Sequence, residues 1–224
     1  MDEQKKSKEC ISLSRRRALV AGTCGVGGML VSAAALASAT AISTPGEIMG
    51  PYYPRIKPLD RDADLTYVRG RTRIAKGQIF ELSGTVRTLS GDPVPRAKIE
   101  WWQANADGRY DHPSDPNKSA PLDPNFQGYA MQMTDAWGRY RFRSIIPGPY
   151  PVNEHWTRAP HIHLDVAGRV DRLVTQLYFE GQPLNDVDQL LQALSAEERK
   201  MVMIDLTRDG DVLYGNLDLL LTSG

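Results

Sequence analysis

From Gln78 onward, apolar side chains recur at every second position: Phe80, Leu82, Gly84 and Val86 alternate with Glu81, Ser83, Thr85 and Arg87. Side chains on an extended chain point alternately to its two faces, so this period predicts a strand with one face buried. Ser90-Gly91-Asp92-Pro93 then supplies a turn. The same pattern returns along the chain, with short strands expected over 99–102, 129–134, 161–166 and 173–179. Asp135-Ala136-Trp137-Gly138 turns into Tyr140 and Phe142, which arginines separate. Residues 202–206 are expected to pair with 212–221 across Asp209-Gly210. Helical signal is confined to about 186–203, where Ser195-Ala196-Glu197-Glu198 fits a capping box. Many short strands, Gly/Pro turns and one short helical region mean a mainly β fold, a sandwich or a barrel. There is no internal repeat and no second core, so residues 77–224 read as one domain.

The chain of 224 residues carries 27 Lys plus Arg against 27 Asp plus Glu. Six basic and three acidic residues fall within 1–40, leaving 21 basic against 24 acidic in the rest. No basic surplus remains to hold nucleic acid, and no DNA-binding pattern is present. Both cysteines, Cys10 and Cys24, also lie in this leader, so a disulfide framework is excluded beyond it. Ser14-Arg15-Arg16-Arg17-Ala18-Leu19 opens an uncharged stretch of small and apolar residues that ends near Ala37-Ser38-Ala39. That is the plan of a secretory signal, and the paired arginines resemble the twin-arginine type, which carries folded proteins. Residues 1–41 are expected to direct export to the periplasm or beyond, touching the membrane only transiently. An uncleaved anchor is the alternative. Residues 42–76, rich in Pro, Gly, Arg and Asp, are expected to form an arm that wraps over the core.

Chemistry concentrates in few places. Pro160-His161-Ile162-His163-Leu164 puts two imidazoles on one face of a strand, about 6.5–7 Å apart at the backbone, within reach of one metal ion. Only four histidines exist, so a metal here needs other ligand types; His112 and His155 lie in loop sequence and are candidates. Tyr110 follows Gly108-Arg109, and Tyr150 sits inside Pro147-Gly148-Pro149-Tyr150-Pro151, a run expected to be a rigid turn. On spacing alone both rings also read as ordinary packing residues. Residues 105–128 lack periodicity, and a loop that long is usually functional or mobile.

Six motifs occur in order: Asn105-Ala-Asp-Gly-Arg-Tyr110, Pro121-Leu-Asp-Pro-Asn-Phe126, Thr134-Asp-Ala-Trp-Gly-Arg-Tyr-Arg-Phe142, Ile146-Pro-Gly-Pro-Tyr-Pro151, Arg158-Ala-Pro-His-Ile-His163 and Leu173-Val-Thr-Gln-Leu-Tyr-Phe-Glu-Gly181. Together with Gly50-Pro51-Tyr52-Tyr53 they resemble the intradiol ring-cleavage dioxygenases, most closely the β-type chains of protocatechuate 3,4-dioxygenase. The resemblance implies an antiparallel β-sandwich holding one non-haem Fe(III) per site through Tyr110, Tyr150, His161 and His163. It implies that Arg158 stands beside the substrate ring, that Gln176 hydrogen-bonds near Arg158 and the metal, and that Tyr150 leaves the metal to take a substrate proton. The implied reaction inserts both atoms of O2 into a catechol-type substrate and opens the ring between its hydroxyl-bearing carbons, giving a muconate-type diacid. A homo-oligomer, or a hetero-oligomer with a related chain, is implied as well. Two departures stand out: Val152 replaces a tryptophan of the β-type chains, and Ala159-Pro160 replaces Pro-Ala. Pocket shape near the substrate is the property these changes touch. Two other readings fit the residues without the resemblance: a non-catalytic secreted β-sandwich that binds a ligand, and a different metalloprotein built on the His161/His163 pair.

Overall fold

A computed structural model describes residues 42–224. The leader expected over 1–41, with its arginines, Cys10 and Cys24, lies outside the described residues.

The period-two segment is strand β1 (Ile79–Thr88), with Phe80, Leu82 and Val86 fully buried. It is the spine of the first sheet. Strand β4 (Arg139–Ile145) runs antiparallel along one edge, from Ile79↔Ile145 to Thr85↔Arg139. The second sheet has the order β3-β2-β7-β8-β9: β2 (Lys98–Trp102), β3 (Tyr129–Met133), β7 (His161–Ala167), β8 (Arg172–Phe179) and β9 (Met203–Ile204). Aromatic rings join the two sheets. Phe80 meets Phe179 edge-on with centroids 5.3 Å apart, and Trp101 lies 4.9 Å from Phe142. Each such fully buried side chain contributes about 1.5–3 kcal/mol. Strands β5 (Tyr150–Asn153) and β6 (Trp156–Arg158) form a separate two-stranded hairpin.

The β-sandwich expectation holds, and the tail adds detail that periodicity does not carry. Strands β10 (Leu206–Asp209) and β11 (Val212–Asn216) make the hairpin across Asp209-Gly210, with Leu206↔Gly215 at its far end. The tight turn fixes this register, so the expected partner 202–206 is displaced. Only Leu206 of it joins the hairpin, while β9 pairs parallel with β8 through Phe179↔Ile204. The expected strand over 212–221 is also divided: β11 and β12 (Leu219–Leu221) pair parallel with successive parts of β1. The sheets are therefore mixed. The helical region is likewise split, into a 3-10 turn (Pro183–Val187), α1 (Gln189–Ala193) and α2 (Ala196–Lys200). Asp188 caps α1 and Ser195 caps α2, the latter through the expected capping box with Glu198. Each cap imposes an extended backbone that one continuous helix cannot pass.

The core dictates where the chemistry goes. Ile162, Leu164 and Val166 of β7 are fully buried between the sheets, so His161, His163 and Asp165 must face the other way. The segment before β1 covers that face. Its backbone follows β8, with Glu47 N donating to Val174 O at 2.8 Å and Thr175 Oγ1 donating to Pro45 O at 2.8 Å. Gln176 Nε2 donates to Ile48 O at 3.1 Å. Farther on, Leu65 enters the main core and is fully buried.

Candidate metal centre

Four rings meet on the outer face of the second sheet. His161 and His163 lie 4.9 Å apart, centroid to centroid, at 75°. Tyr150 is 5.5 Å from His161, Tyr110 is 5.5 Å from Tyr150, and Tyr110 is 6.3 Å from His163. The rings close a circuit, and all four residues are buried.

Different means bring them there. The imidazoles come from the centre of a sheet. His163 stands opposite Trp102 on β2 and Gln176 on β8, and the Trp102 indole stacks on it at 5.0 Å and 7°. The phenols come from a loop and from the start of a short hairpin, and the loops that lead to them touch backbone to backbone. Gly148 N donates to Asn105 O at 2.9 Å. A Cβ on Gly148 would lie 2.4 Å from Ala106 O, and one on Gly108, at φ +72°, 2.1 Å from Pro149 O. Only glycine permits so close an approach. Asp115 Oδ2 accepts from the Tyr110 backbone N–H at 2.7 Å and fixes that loop further. Tyr150, expected in a turn, instead opens strand β5 and faces Arg158 across the hairpin. The segment before β1 seals the cluster: Gly50 passes so near that a Cβ would sit 3.0 Å from His163 Cε1, and the Tyr52 ring packs 4.6 Å from Tyr110 and 5.7 Å from Tyr150.

Electrostatics mark the cluster as built for something else to complete. Tyr110 Oη, His161 Nε2 and both ring nitrogens of His163 are buried with no hydrogen-bond partner. Each orphan of this kind costs about 1–3 kcal/mol. His161 Nδ1 lies 2.6 Å from Ala159 O; a carbonyl can only accept, so Nδ1 carries the proton and Nε2 offers its lone pair to the cluster. Burial, with Arg158 nearby, pushes the His161 imidazolium down to about 3, and burial beside His161 holds His163 well below the usual range. Burial thus keeps both rings neutral. Burial raises the Tyr110 phenol well above its ordinary value, with Tyr150 adding to the rise. It pushes Tyr150 up to about 12, against the opposing charge of Arg158. Protein groups alone will not ionise these phenols, whereas a multiply charged cation would. Among the described residues no group of three or more His, Cys, Asp or Glu converges. A metal at this point would meet phenol oxygen along with imidazole nitrogen, a set that suits a hard trivalent ion better than zinc.

Arg158 and Gln176, also expected at the site, touch each other: Arg158 Nη2 donates to Gln176 Oε1 at 2.8 Å and to Tyr178 Oη at 3.0 Å. His112 and His155 do not join. His112 packs against Tyr52 at 5.9 Å and its Nδ1 accepts from Ser114 N, while His155 is exposed in the β5–β6 turn. Val152 is 42% exposed. Sequence reading missed four neighbours. Tyr178 lies two residues beyond Gln176 on one strand face, and Asp188 precedes Gln189-Leu190-Leu191 as a helix cap would; both signals were available. Trp102 is a core-type aromatic in the sequence, and Glu47 in an aperiodic segment carries no signal at all.

The profile of the family described as Dioxygenase matches residues 48–219. The protocatechuate 3,4-dioxygenase beta chain of Burkholderia cepacia is 40% identical over 173 residues, covering 73% of this chain and 72% of that protein. The chain belongs to the intradiol ring-cleavage dioxygenases. The hydroxyquinol 1,2-dioxygenase of Corynebacterium glutamicum is 32% identical over 155 residues, which is 63% of this intradiol dioxygenase chain and 48% of that relative, so the chain spans about half of it. The solved dioxygenase domain of a dioxygenase–carbohydrate-binding protein fusion from Streptomyces sp. SirexAA-E superimposes with a TM-score of 0.63 at 27% identity, covering 82% of this chain and all of that one.

Proposed function

We propose that this intradiol dioxygenase holds one non-haem Fe(III) through Tyr110, Tyr150, His161 and His163 and cleaves a catechol-type substrate with O2 between the two hydroxyl-bearing carbons, releasing a muconate-type diacid. The observation that carries the reading is the closed circuit of two phenols and two neutral imidazoles, with three of its members holding buried polar atoms that lack any partner. Two phenolates would offset most of the charge of a ferric ion and make its burial tolerable. Bound there, the ion would supply the Lewis acidity that makes an aromatic diol reactive towards O2.

The chain's own groups do the rest. The Ala159 carbonyl holds the His161 lone pair on Nε2, and the sheet and the Trp102 stack hold the plane of the His163 ring. Tyr150 stands on a four-residue strand of a two-stranded hairpin, a lighter support, and its phenolate oxygen would be the one to accept a substrate proton, becoming a neutral phenol. Arg158 presents a guanidinium to negative charge that develops on the ring carbons. Gln176 holds that guanidinium in orientation. Tyr52 and Gly50 exclude water from one side of the cluster.

Purified protein reconstituted with iron should show a visible phenolate-to-iron absorption band and consume O2 with members of a catechol panel: protocatechuate, catechol, hydroxyquinol and lignin-derived diols. A Tyr110→Phe protein with an undiminished band and wild-type O2 uptake overturns the ligand assignment. A binding module would bind diols without consuming O2, and a carrier built on the histidines alone would keep its metal in Tyr110→Phe. We further propose export by a twin-arginine-type route, with iron acquired before translocation, and assembly into an oligomer, alone or with a related chain. A reporter fused after residue 41 and light scattering of the purified protein test these two points.

A further inference from the structure

We propose that Asp188 is a positioning residue of this site: a single buried carboxylate that ties the Arg158 guanidinium, and through the Ala159 backbone the His161 imidazole, to the start of helix α1. The inference rests on the reading of the ring cluster as a catalytic iron site, and it names a residue outside the expected set.

Asp188 is fully buried, and Arg158 is 3% exposed. All four acceptor directions of the carboxylate are taken. Oδ2 accepts from Arg158 Nε at 2.7 Å and from the Ala159 backbone N–H at 2.9 Å. Oδ1 accepts from the backbone N–H groups of Leu190 at 3.1 Å and Leu191 at 3.2 Å, the first turn of α1. The Ala159 backbone passes the constraint on through its Cα, because the carbonyl of the next peptide unit accepts from His161 Nδ1 at 2.6 Å. One side chain thus fixes a cation beside the site and a helix end, and anchors the residue whose carbonyl sets the His161 tautomer. The remaining contacts of Arg158 leave it little freedom: Gln176 and Tyr178 take Nη2, and the guanidinium carbon lies 5.5 Å from the Trp156 ring centroid. Among the described residues that touch Arg158, Asp188 alone forms an ion pair with it. A carboxylate that only capped α1 would have no need to reach Arg158 Nε, and an ion pair alone would have no need of the helix.

Asparagine separates the two duties. It caps helices as well as aspartate does and keeps an oxygen for backbone N–H groups, but it cannot offer a charged acceptor to Arg158. The experiment uses the full chain with and without iron. In the metal-free protein, nitrogen-detected NMR of arginine side chains should show a slowly exchanging Nε–H assigned to Arg158, lost in Arg158→Lys and in Asp188→Asn. With iron, Asp188→Asn should keep metal stoichiometry and anaerobic catechol binding within about twofold while kcat falls about 10–100-fold, the range for groups that orient a metal site from outside it. Asp188→Ala, which removes the cap too, should in addition lower Tm. Should Asp188→Asn fail to fold, the Nε–H exchange in the unsubstituted metal-free chain still decides: fast exchange at Arg158 overturns the proposal. Wild-type kcat in a folded Asp188→Asn protein overturns it as well. Absence of iron or O2 uptake in the unsubstituted chain would instead count against the iron-site reading, while the NMR exchange rate would still decide independently whether Asp188 holds Arg158.

Discussion

The imidazole half and the phenol half of the ring cluster are built by opposite strategies. His161 and His163 sit on β7, the middle strand of five, with β2 and β8 paired along its length and the main core directly behind. Tyr110 and Tyr150 sit on a loop and a short hairpin, held by contact between glycine-rich backbones and by the segment that crosses them. The first half is fixed by cooperative packing, which moves as a block or not at all. The second is fixed by a few local contacts, any of which can yield separately. A metal held as proposed would meet one rigid pair of side chains and one compliant pair.

Loss of a rigid ligand should therefore have the largest effect. His163→Ala removes a neutral imidazole for which no described neighbour can substitute, and leaves the ladder intact. Iron content should drop to background and activity to below about one thousandth of wild type, some 4 kcal/mol of barrier, while circular dichroism stays native. Metal analysis and O2 uptake check it. Tyr150→Phe, in the compliant half, should retain iron through the other three groups but weaken its visible band and slow turnover. Equal iron loss in the two variants would erase the distinction between the halves.

Stability should separate in the same direction. Leu164 is fully buried behind the histidines, and Leu164→Ala should cost about 2–5 kcal/mol in urea unfolding. Gly148→Ala drives a Cβ into Ala106 O at 2.4 Å and Gly108 N at 2.5 Å. It should cost less, about 1–3 kcal/mol, yet abolish the visible band by parting the two phenol loops. The core variant should keep the band at low temperature. A reversed pattern would mean that the loops depend on the core for their geometry.

The same contrast explains what the sequence made legible. Period two exposes β1, β7 and β8, because a half-buried strand writes its burial into alternate residues, and the His-x-His spacing follows from that alternation. The tail departs from the expected pairing at 202–206 because two-residue strands and parallel pairings leave no periodic trace. The phenol half is legible only through its likeness to a family: Tyr110 and Tyr150 lie 40 positions apart, and nothing in either neighbourhood reports that Gly108 and Gly148 pack together. Asp188 escapes for another reason. Its local signal is a helix cap, and its contact with Arg158 spans 30 residues of sequence.

The segment before β1 bridges both halves, and Glu47 gives a way to weigh its grip. The carboxyl is partly buried, accepts from Tyr178 Oη at 2.9 Å through Oε2, and has no partner at Oε1. Burial pushes it up to about 7, opposed by the Tyr178 hydrogen bond and by Arg158, and assisted by Asp188. A group whose folded pKa lies above its unfolded value binds its proton more tightly when folded. Its contribution is complete below pH 4.5 and is lost as pH rises through about 7. Glu47→Gln removes that loss. The variant should match the unsubstituted chain near pH 4.5 and exceed it by about 1–2 kcal/mol at pH 8, an amount reduced for partial exposure. Tm measured at both pH values on metal-free protein checks the sign. If the difference is the same at pH 4.5 and pH 8, Glu47 is solvated, and the segment rests on the site through Gly50 and Tyr52 instead.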